Sequence, residues 1–265
     1  SDHKLGVAPH ILLMGAGADL IATRVGATRK DCDEIANLSH QRAMVAQSEN
    51  RFSSIVSIKT SEGEVQNDEC IRASLTQERL AVMPAAFAEL GSGGSDGVQL
   101  AAFESLEAIS HVHTAANSPA MCDGAAVLLV GDEGMQDRLA VTPRVEVVDS
   151  VTCGAEPLEV VSGCVTATTE ILRRNGLSTF DVDVFEIHEA FAATIVKLTR
   201  ELDLSLDKVN VNGGCIALGH PMGATGAIMV STAIDELYRA DGELAVVAAS
   251  GAAGSGSALL LRRCA

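Results

Sequence analysis

The sequence of 265 residues is poor in large rings, with no Trp, one Tyr and six Phe, although 47% of its residues are hydrophobic. A core of this composition has to be packed tightly from Ala, Val, Leu and Gly, which favours layered helices and strands. Long apolar runs are also missing, and none approaches the roughly eighteen residues that a membrane-crossing helix needs. The composition therefore predicts a globular α/β chain without a membrane span.

Basic residues are scarce as well. Nineteen Lys and Arg stand against 35 Asp and Glu, which gives a formal net charge of −16. Nucleic acids and anionic membrane surfaces are bound through basic patches, so neither is an expected partner. Any anionic ligand would need a local group of cations. The N-terminal third is the best place for one, with Arg24, Arg29, Lys30, Arg42 and Arg51.

The seven cysteines include no Cys-x-x-Cys pair, and an odd number fits poorly with a disulfide framework. The start of the chain imitates a signal peptide, but its apolar run 11–14 has only four residues and Asp19 follows soon after. We therefore expect a reducing compartment such as the bacterial cytoplasm. His111 and His113 have only the distant His10 as a third histidine, so no metal site is predicted.

Hydrophobic patterning alternates between strands and helices in the C-terminal half. We predict a strand at 182–187, a helix at 189–200, a turn at 210–224, a helix at 225–239 and a strand at 244–249. This alternation predicts an α/β fold with a mostly parallel sheet, closed by an antiparallel hairpin. A further β segment should begin at Arg144, and a helix should end at Gly176.

Upstream, Thr28 and Asp31 can form a capping box, which predicts a helix over 29–47. The continuous apolar run Ala125 to Val130 predicts a buried strand. The stretch from Phe52 to Glu107 has only short alternating runs and a loop rich in glycine and serine.

The most informative segment runs from Asn210 to Gly226, where five glycines surround His220 and Pro221. Glycines permit positive φ and close backbone approach, and the proline fixes a bend, so His220 is held rigidly. A histidine held in this way suits proton transfer, and a purely structural histidine beside a tight turn is the alternative.

Three other segments accompany this turn in order along the chain. They are Asn117 to Ala126, the Glu-Ile-His-Glu-Ala-Phe-Ala stretch of 186–192, and Ser250 to Gly256 between two apolar runs. Together with the 210–226 segment they resemble the motifs of the thiolase family over nearly the whole chain. The resemblance implies a thiolase-like layered αβα core, here its C-terminal half, plus a mixed loop domain.

The resemblance also implies roles for individual residues. His220 would activate the nucleophile, His188 stands where most relatives bind a water through Asn, and Ser250 stands where a second catalytic cysteine is usual. The oxyanion-binding loops would include Gly219, Gly251 and Ala252. The substrate would be contacted by Ser118, Pro119, Phe191 and Met222.

Two departures from the family pattern bear on activity. Nothing in residues 1–17 resembles the Cys-x-Ser-Gly-like turn that carries the family's nucleophile, and Ser250 replaces the second cysteine. An alcohol hardly exchanges protons at neutral pH, whereas general acid–base help is worth about 10²–10⁴-fold in rate. Cys215 is an alternative nucleophile. A hydrolase using Ser250 is a further alternative, but no Gly-x-Ser-x-Gly elbow supports it.

We therefore expect a thiolase-type acyl-CoA acyltransferase, performing 3-ketoacyl-CoA thiolysis or acetyl transfer in fatty-acid or steroid side-chain breakdown. Coenzyme A is a substrate and no cofactor is expected. The chain alone should be inactive, and it should form a homo-oligomer or join a partner chain that supplies the N-terminal half. The alternative is a noncatalytic, thiolase-like acyl-CoA-binding protein or subunit.

The expected organisation has three parts. Residues 1–110 form a substrate-covering loop region that includes helix 29–47, residues 111–140 carry a remnant strand of the N-terminal core, and residues 141–265 form the C-terminal thiolase domain.

Overall fold

The computed structural model describes residues 12–264, so His10 lies outside the described residues. Its helices and strands follow one another as α1 Met14–Val25, α2 Arg29–Ser48, β1 Ile58–Thr60, β2 Gly63–Val65, α3 Gln77–Ala81, α4 Ala88–Leu90, α5 Asp96–Ala102, α6 Glu133–Leu139, β3 Val145–Gly154, α7 Gly163–Asn175, β4 Val184–Ile187, α8 Ala192–Leu202, α9 Cys215–Leu218, α10 Thr225–Arg239, β5 Leu244–Ser250 and β6 Ser255–Arg263.

The central sheet has four strands in the order β3-β6-β5-β4. Only β4 and β5 are parallel, whereas β5–β6 and β3–β6 are antiparallel. The expectation of a mostly parallel sheet is therefore wrong for the described residues. The reason is that the C-terminal hairpin continues the sheet and β3 adds to its outer edge, so antiparallel pairings outnumber the parallel one.

Helices cover both faces of this sheet. On one face Phe185, Ile187 and Leu260 belong to the larger core, which α7 and α8 complete. On the other face Val184, Val247 and Leu261 pack against α10. Helices α1 and α2 pack on α8 and form an outer layer. The layered α/β architecture predicted for this part of the chain is confirmed.

Local sequence signals explain where several helices begin and end. The predicted capping box is present, because Thr28 Oγ1 accepts from Asp31 N–H and the Asp31 carboxylate accepts from Thr28 N–H. Helix α7 ends at Gly176, which adopts φ 64° as its C-cap. Helix α10 occupies 225–239 as predicted. Helix α8 begins at Ala192, later than predicted, since residues 188–191 are not helical.

The prediction of a buried strand over the run 125–130 is wrong. The segment forms no strand in the structure, and Val127 and Val130 are 93% and 75% exposed. A continuous apolar run becomes a buried strand only when neighbouring strands pair with both of its edges. No strand among the described residues pairs with this one.

The region between α2 and α6 consists of short helices, loops and the small exposed hairpin β1–β2. This agrees with the short alternating runs of the sequence. Within residues 12–264, no helix combines the length and the apolar character required to traverse a bilayer.

Candidate active site

The two histidines singled out by the sequence face each other. The ring of His188 lies just beyond the end of β4, and the ring of His220 follows α9. Their ring centroids are 4.6 Å apart and the planes are inclined by 39°. His188 is buried, whereas His220 is half-buried. Two segments about thirty residues apart thus build one polar centre.

Asn210 ties the end of β4 to the glycine-rich turn. Its side-chain oxygen accepts from Ile187 N–H at 2.7 Å, and its amide donates to the Ile187 carbonyl at 2.9 Å and to Glu189 at 3.0 Å. In addition, His188 N–H donates to the Ala248 carbonyl at 2.9 Å, which continues the pairing of β4 with β5. The backbone of His188 is therefore fixed from two sides.

Glu189 holds the start of α9 in place. Its buried carboxylate accepts from the Ser39 hydroxyl at 2.8 Å and from Ile216 N–H at 2.9 Å. The Ile216 donor lies in the first turn of α9, so this carboxylate satisfies one of the free N–H groups at the start of that helix. Ser39 also accepts from Gly214 N–H at 3.0 Å. This network connects α2, the segment after β4 and the loop that carries His220.

His220 is positioned by the segment 117–123. Its N–H donates to the Ala120 carbonyl at 2.8 Å, and its Nδ1 lies 2.7 Å from Thr225 Oγ1. Gly219 precedes it with φ 90°, and a Cβ there would lie 2.5 Å from Cys122 Sγ. Glycine is required at this position because any side chain would both strain the backbone and collide with the sulfur.

The protonation states of the pair follow from their surroundings. Burial and the neighbouring His220 lower the pKa of the His188 imidazole to about 4, with the backbone of Ser250 acting in the opposite direction. Burial also lowers the pKa of His220. Both rings are therefore neutral at pH 7 and can accept a proton.

Ser250 ends β5 beside this centre, but its hydroxyl has a structural partner. Ser250 Oγ accepts from Cys164 N–H at 2.9 Å and so satisfies one of the free donors at the start of α7. The hairpin that follows is tight, since Gly251 N–H donates to the Ser255 carbonyl at 2.8 Å. Gly251 and Ala252 are exposed at its tip.

The proposed substrate contacts are spread over different environments. Ser118 and Pro119 are half-buried beside the His220 loop, and Met222 is 57% exposed with φ 47°. Phe191 instead packs in the core, edge-on against Phe87 and His113. The role of Phe191 as a substrate contact stays a prediction, whereas its packing in the core is observed.

Sequence reasoning undervalued Cys215, which the structure places against both histidines. One ring nitrogen of each histidine and the Cys215 sulfur all lie within 4.8 Å of one another. Burial and the charge of Glu189 raise the pKa of this thiol, so it is protonated at neutral pH and is a poor nucleophile. Cys70 and Cys122 were also missed, and both sulfurs lie close to Gly219.

The arginines expected to attract an anion are largely committed to other contacts. Arg24 pairs with Glu159 at 2.6 Å, Arg29 pairs with Asp33 at 2.8 Å, and Arg42 donates to the carbonyls of Val209 and Leu206. These guanidinium groups join elements of the fold. The expectation that the N-terminal third collects cations for an anionic ligand stays a prediction.

A polar groove of about 340 Å³ lies between the end of α2 and the segment 66–68. Its lining includes Gln47, Phe52, Asn67 and Asp68. The charge of Asp68 contributes to raising the pKa of the Cys122 thiol, after burial and the neighbouring Cys70. The Asp68 end of the groove is therefore close to the loop of His220.

His40 on α2 is buried, and its burial predicts a pH-dependent stability. Its Nδ1 accepts from Arg72 N–H at 3.1 Å, and burial together with the charge of Arg72 lowers the pKa of the ring to about 4. In the unfolded chain the pKa is about 6.5. The unfolded state therefore binds more protons between these values, and the free energy of unfolding should fall by about 2–3 kcal/mol from pH 7 to pH 4 on account of His40.

Urea unfolding across that pH range tests this expectation with His40→Asn, whose amide oxygen can still accept from Arg72 N–H. The variant should lose this part of the acid destabilisation. Gln41→Asn, at an exposed position one residue further along the helix, serves as the control and should follow the original chain. If His40→Asn and the original chain lost stability in parallel, the neutral state assigned to His40 would be wrong.

The motifs and their geometry define a thiolase fold with a two-histidine centre, and comparison with known proteins agrees. The family model described as thiolase, C-terminal domain, matches residues 141–263, and the model for the thiolase N-terminal domain matches residues 4–95. The chain belongs to the thiolase family. The N-terminal match covers most of the region that the sequence assigned to a substrate-covering role.

Individual relatives point the same way. The chain is 37% identical over 254 residues to a 3-oxoadipyl-CoA/3-oxo-5,6-dehydrosuberyl-CoA thiolase of Escherichia coli, covering 93% of this chain and 58% of the relative. It is 32% identical over 259 residues to a mitochondrial 3-ketoacyl-CoA thiolase of Rattus norvegicus, covering 96% and 60%. The chain therefore spans about three fifths of the length of these curated relatives.

Solved structures extend the likeness to the fold. An acetyl-CoA acetyltransferase of Bacillus anthracis superposes with a TM-score of 0.81 at 31% identity, covering 97% of this chain and 61% of that one. A human mitochondrial 3-ketoacyl-CoA thiolase in complex with CoA gives a TM-score of 0.80 at 28% identity, covering 95% and 59%.

Proposed function

We propose that this chain contributes the histidine centre of a thiolase-type acyl-CoA acyltransferase. The observation that carries the proposal is the close approach of two neutral imidazoles, His188 and His220, at 4.6 Å between ring centroids. A neutral imidazole at a half-exposed loop can take a proton from a thiol and return it to a departing carbon or sulfur. His220 is the base in this scheme, and His188 orients the oxygen that becomes negatively charged.

The thiolate itself has to come from elsewhere. Cys215 is protonated by burial, and no Cys-x-Ser-Gly segment occurs among the 265 residues. Ser250 uses its hydroxyl to cap α7. We therefore propose that these residues bind an acyl-CoA but do not cleave it alone, and that turnover requires a segment or partner chain with a nucleophilic cysteine.

The names of the relatives suggest the class of substrate. They describe thiolases acting on 3-oxoadipyl-CoA and 3-ketoacyl-CoA and an acetyltransferase of acetyl-CoA. The shared chemistry is a CoA thioester, with a 3-oxo group in the cleaved substrates. We propose that the groove lined by Asp68 receives the thioester arm, because Asp68 acts on the Cys122 thiol, which lies against Gly219 beside His220.

Association with other chains is part of the proposal. The exposed apolar run 125–130 offers a surface that a second copy or a partner chain would cover. Because the cysteines are unpaired in the structure, a reducing compartment such as the bacterial cytoplasm suits the chain.

The test uses the purified chain with acetoacetyl-CoA. Calorimetry should show binding, whereas adding free CoA should cause no loss of the 3-oxo thioester. His220→Ala should leave binding within about threefold, since the ring acts in proton transfer. CoA-dependent cleavage by the chain alone would overturn the proposed inactivity, and an absence of binding would overturn the acyl-CoA assignment. Thioester hydrolysis without CoA would select Ser250 as a hydrolase nucleophile.

A noncatalytic acyl-CoA-binding subunit is the second candidate. The hydrogen bond that commits Ser250 to α7 favours it. Native mass spectrometry, together with assays of any complex, separates the two. A companion chain whose mixture cleaves acetoacetyl-CoA in a His220-dependent manner supports the acyltransferase. Cleavage that is unaffected by His220→Ala supports a noncatalytic role.

A further inference from the structure

We propose that His188, Cys215 and His220 form a binding site for one thiophilic divalent cation of the zinc type. The three side chains each offer one donor atom, and these atoms lie within 4.8 Å of one another. Two imidazole nitrogens and one sulfur are a donor set that zinc uses in proteins. This site goes beyond the acyltransferase proposal, which requires no metal.

The independent observation is the state of His188. The residue is only 6% exposed, and neither ring nitrogen has a partner of hydrogen-bond geometry, although the backbone of Ser250 lies near enough to raise the pKa of the ring. A buried polar group without a partner is costly, and nearly all such groups in folded proteins find one. A cation bound between His188, Cys215 and His220 would supply the missing partner to one of the two nitrogens.

The spacing is compatible with tetrahedral coordination. Zinc binds imidazole nitrogen at about 2.0–2.1 Å and thiolate sulfur at about 2.3 Å, so donor atoms around one ion are about 3.3–3.7 Å apart. The three donors need to close by at most about 1.5 Å from their 4.8 Å limit. Of the three residues, only His220 is half-buried, whereas His188 and Cys215 are buried.

Thr225 prepares the ring of His220 for this role. Its hydroxyl lies 2.7 Å from Nδ1, which leaves Nε2 as the nitrogen available to a metal. Such outer contacts orient metal-binding histidines and are worth about 10–100-fold in affinity. When the ion binds, the S–H bond of Cys215 breaks, the thiolate sulfur bonds the metal, and the proton passes to solvent.

The proposed site and the proposed proton transfer use the same nitrogen of His220, so they exclude each other. A bound cation would occupy the lone pair that the base needs. Three protein ligands leave a fourth position on the half-exposed side of His220, which a water or a thiol could fill. A bound cation therefore leaves the histidine centre without its base.

Metal binding is measured without substrate, so its outcome is independent of the acyltransferase proposal. The purified chain is stripped with a chelator and titrated with Zn²⁺, and the bound metal is quantified by mass spectrometry. One equivalent is expected. With Co²⁺ in place of Zn²⁺, a thiolate-to-cobalt absorption band should appear.

Four variants identify the ligands. Cys215→Ala should abolish the cobalt band, and both this variant and His188→Asn should weaken Zn²⁺ binding by at least about tenfold. Thr225→Val should weaken it by about 10–100-fold. Cys153→Ala, at a half-buried cysteine on β3, should bind as the original chain does. Circular dichroism confirms that each variant is folded before titration.

Any of three results would overturn the proposal. The first is less than about 0.2 equivalents of bound metal, taken as roughly the level of adventitious binding. The second is binding that survives both Cys215→Ala and His188→Asn with unchanged affinity. If the band is lost in Cys122→Ser but kept in Cys215→Ala, the thiolate belongs to the neighbouring sulfur and the assigned ligand set is wrong.

Discussion

Replacing Gly163 by Ala is expected to lower the free energy of unfolding by about 3 kcal/mol or more, or to prevent folding. Gly163 begins α7 where the helix meets the C-terminal hairpin. A Cβ added there would collide with the Ser255 carbonyl and lie 2.6 Å from Gly256 N. The contact is reciprocal, since a Cβ on Gly256 would collide with the Gly163 carbonyl. Both collisions are with backbone atoms, so no side chain can rotate away to make room.

The same displacement should disturb the candidate active site. Moving the start of α7 outward stretches the hydrogen bond from Cys164 N–H to Ser250 Oγ, and Ser250 lies beside His188. Urea unfolding measures the loss. Gly226→Ala is the matched control, because it lies in the first turn of α10 with nothing within 4 Å of its added Cβ. The control should be neutral or stabilising by up to about 1 kcal/mol. Equal stability of the two variants would refute the predicted collision.

Asp19→Ala is expected to cost about 3–5 kcal/mol of unfolding free energy. Asp19 lies in α1 with no exposed surface. Its carboxylate accepts from His113 Nδ1 at 2.7 Å and from the N–H groups of Val112 and His113 at 3.2 Å, and it also meets His111 Nδ1 at 2.9 Å. Removing this carboxylate leaves several hydrogen-bond donors without an acceptor. The buried donors of Val112 and His113 lose their acceptor without gaining access to water, whereas the His111 side chain is 20% exposed.

Thermal and urea unfolding test this prediction with two comparison variants. Asp19→Asn keeps the size and one acceptor oxygen, so its loss should be smaller than that of Asp19→Ala. Asp137→Ala lies in the exposed helix α6 and should change stability by less than about 0.5 kcal/mol. A cost for Asp19→Ala no larger than that of Asp137→Ala would show that the 111–113 segment is held by other contacts.

The features that the sequence predicts well are those encoded by neighbouring residues. The capping box at Thr28 starts α2, and Gly176 ends α7. Two of the five glycines around His220 adopt the positive φ that only glycine accepts readily, with 82° at Gly213 and 90° at Gly219. Because this conformation is local, the turn and its histidine are identifiable from the order of the amino acids alone.

The features that failed depend on partners distant in the sequence. The run 125–130 has the composition of a buried strand, but burial is decided by strands that pair with it. The direction of each strand in the sheet likewise depends on how the hairpin returns. Cys215 could not be linked to His188 from spacing alone, because the two residues are 27 positions apart in the sequence. Similarly, Arg24 forms its salt bridge with Glu159, which lies 135 residues away in the sequence.

The exposed segment 125–130 also bears on the self-association of this chain in solution. Its six consecutive residues, Ala-Ala-Val-Leu-Leu-Val, carry no charge and no proline, and they form neither helix nor strand in the structure. Such a stretch is a template for intermolecular strand addition, the first step towards cross-β assembly. Self-association in that way competes with folding and grows with protein concentration. Protein concentration is thus a thermodynamic variable of this molecule, on the same footing as pH and denaturant.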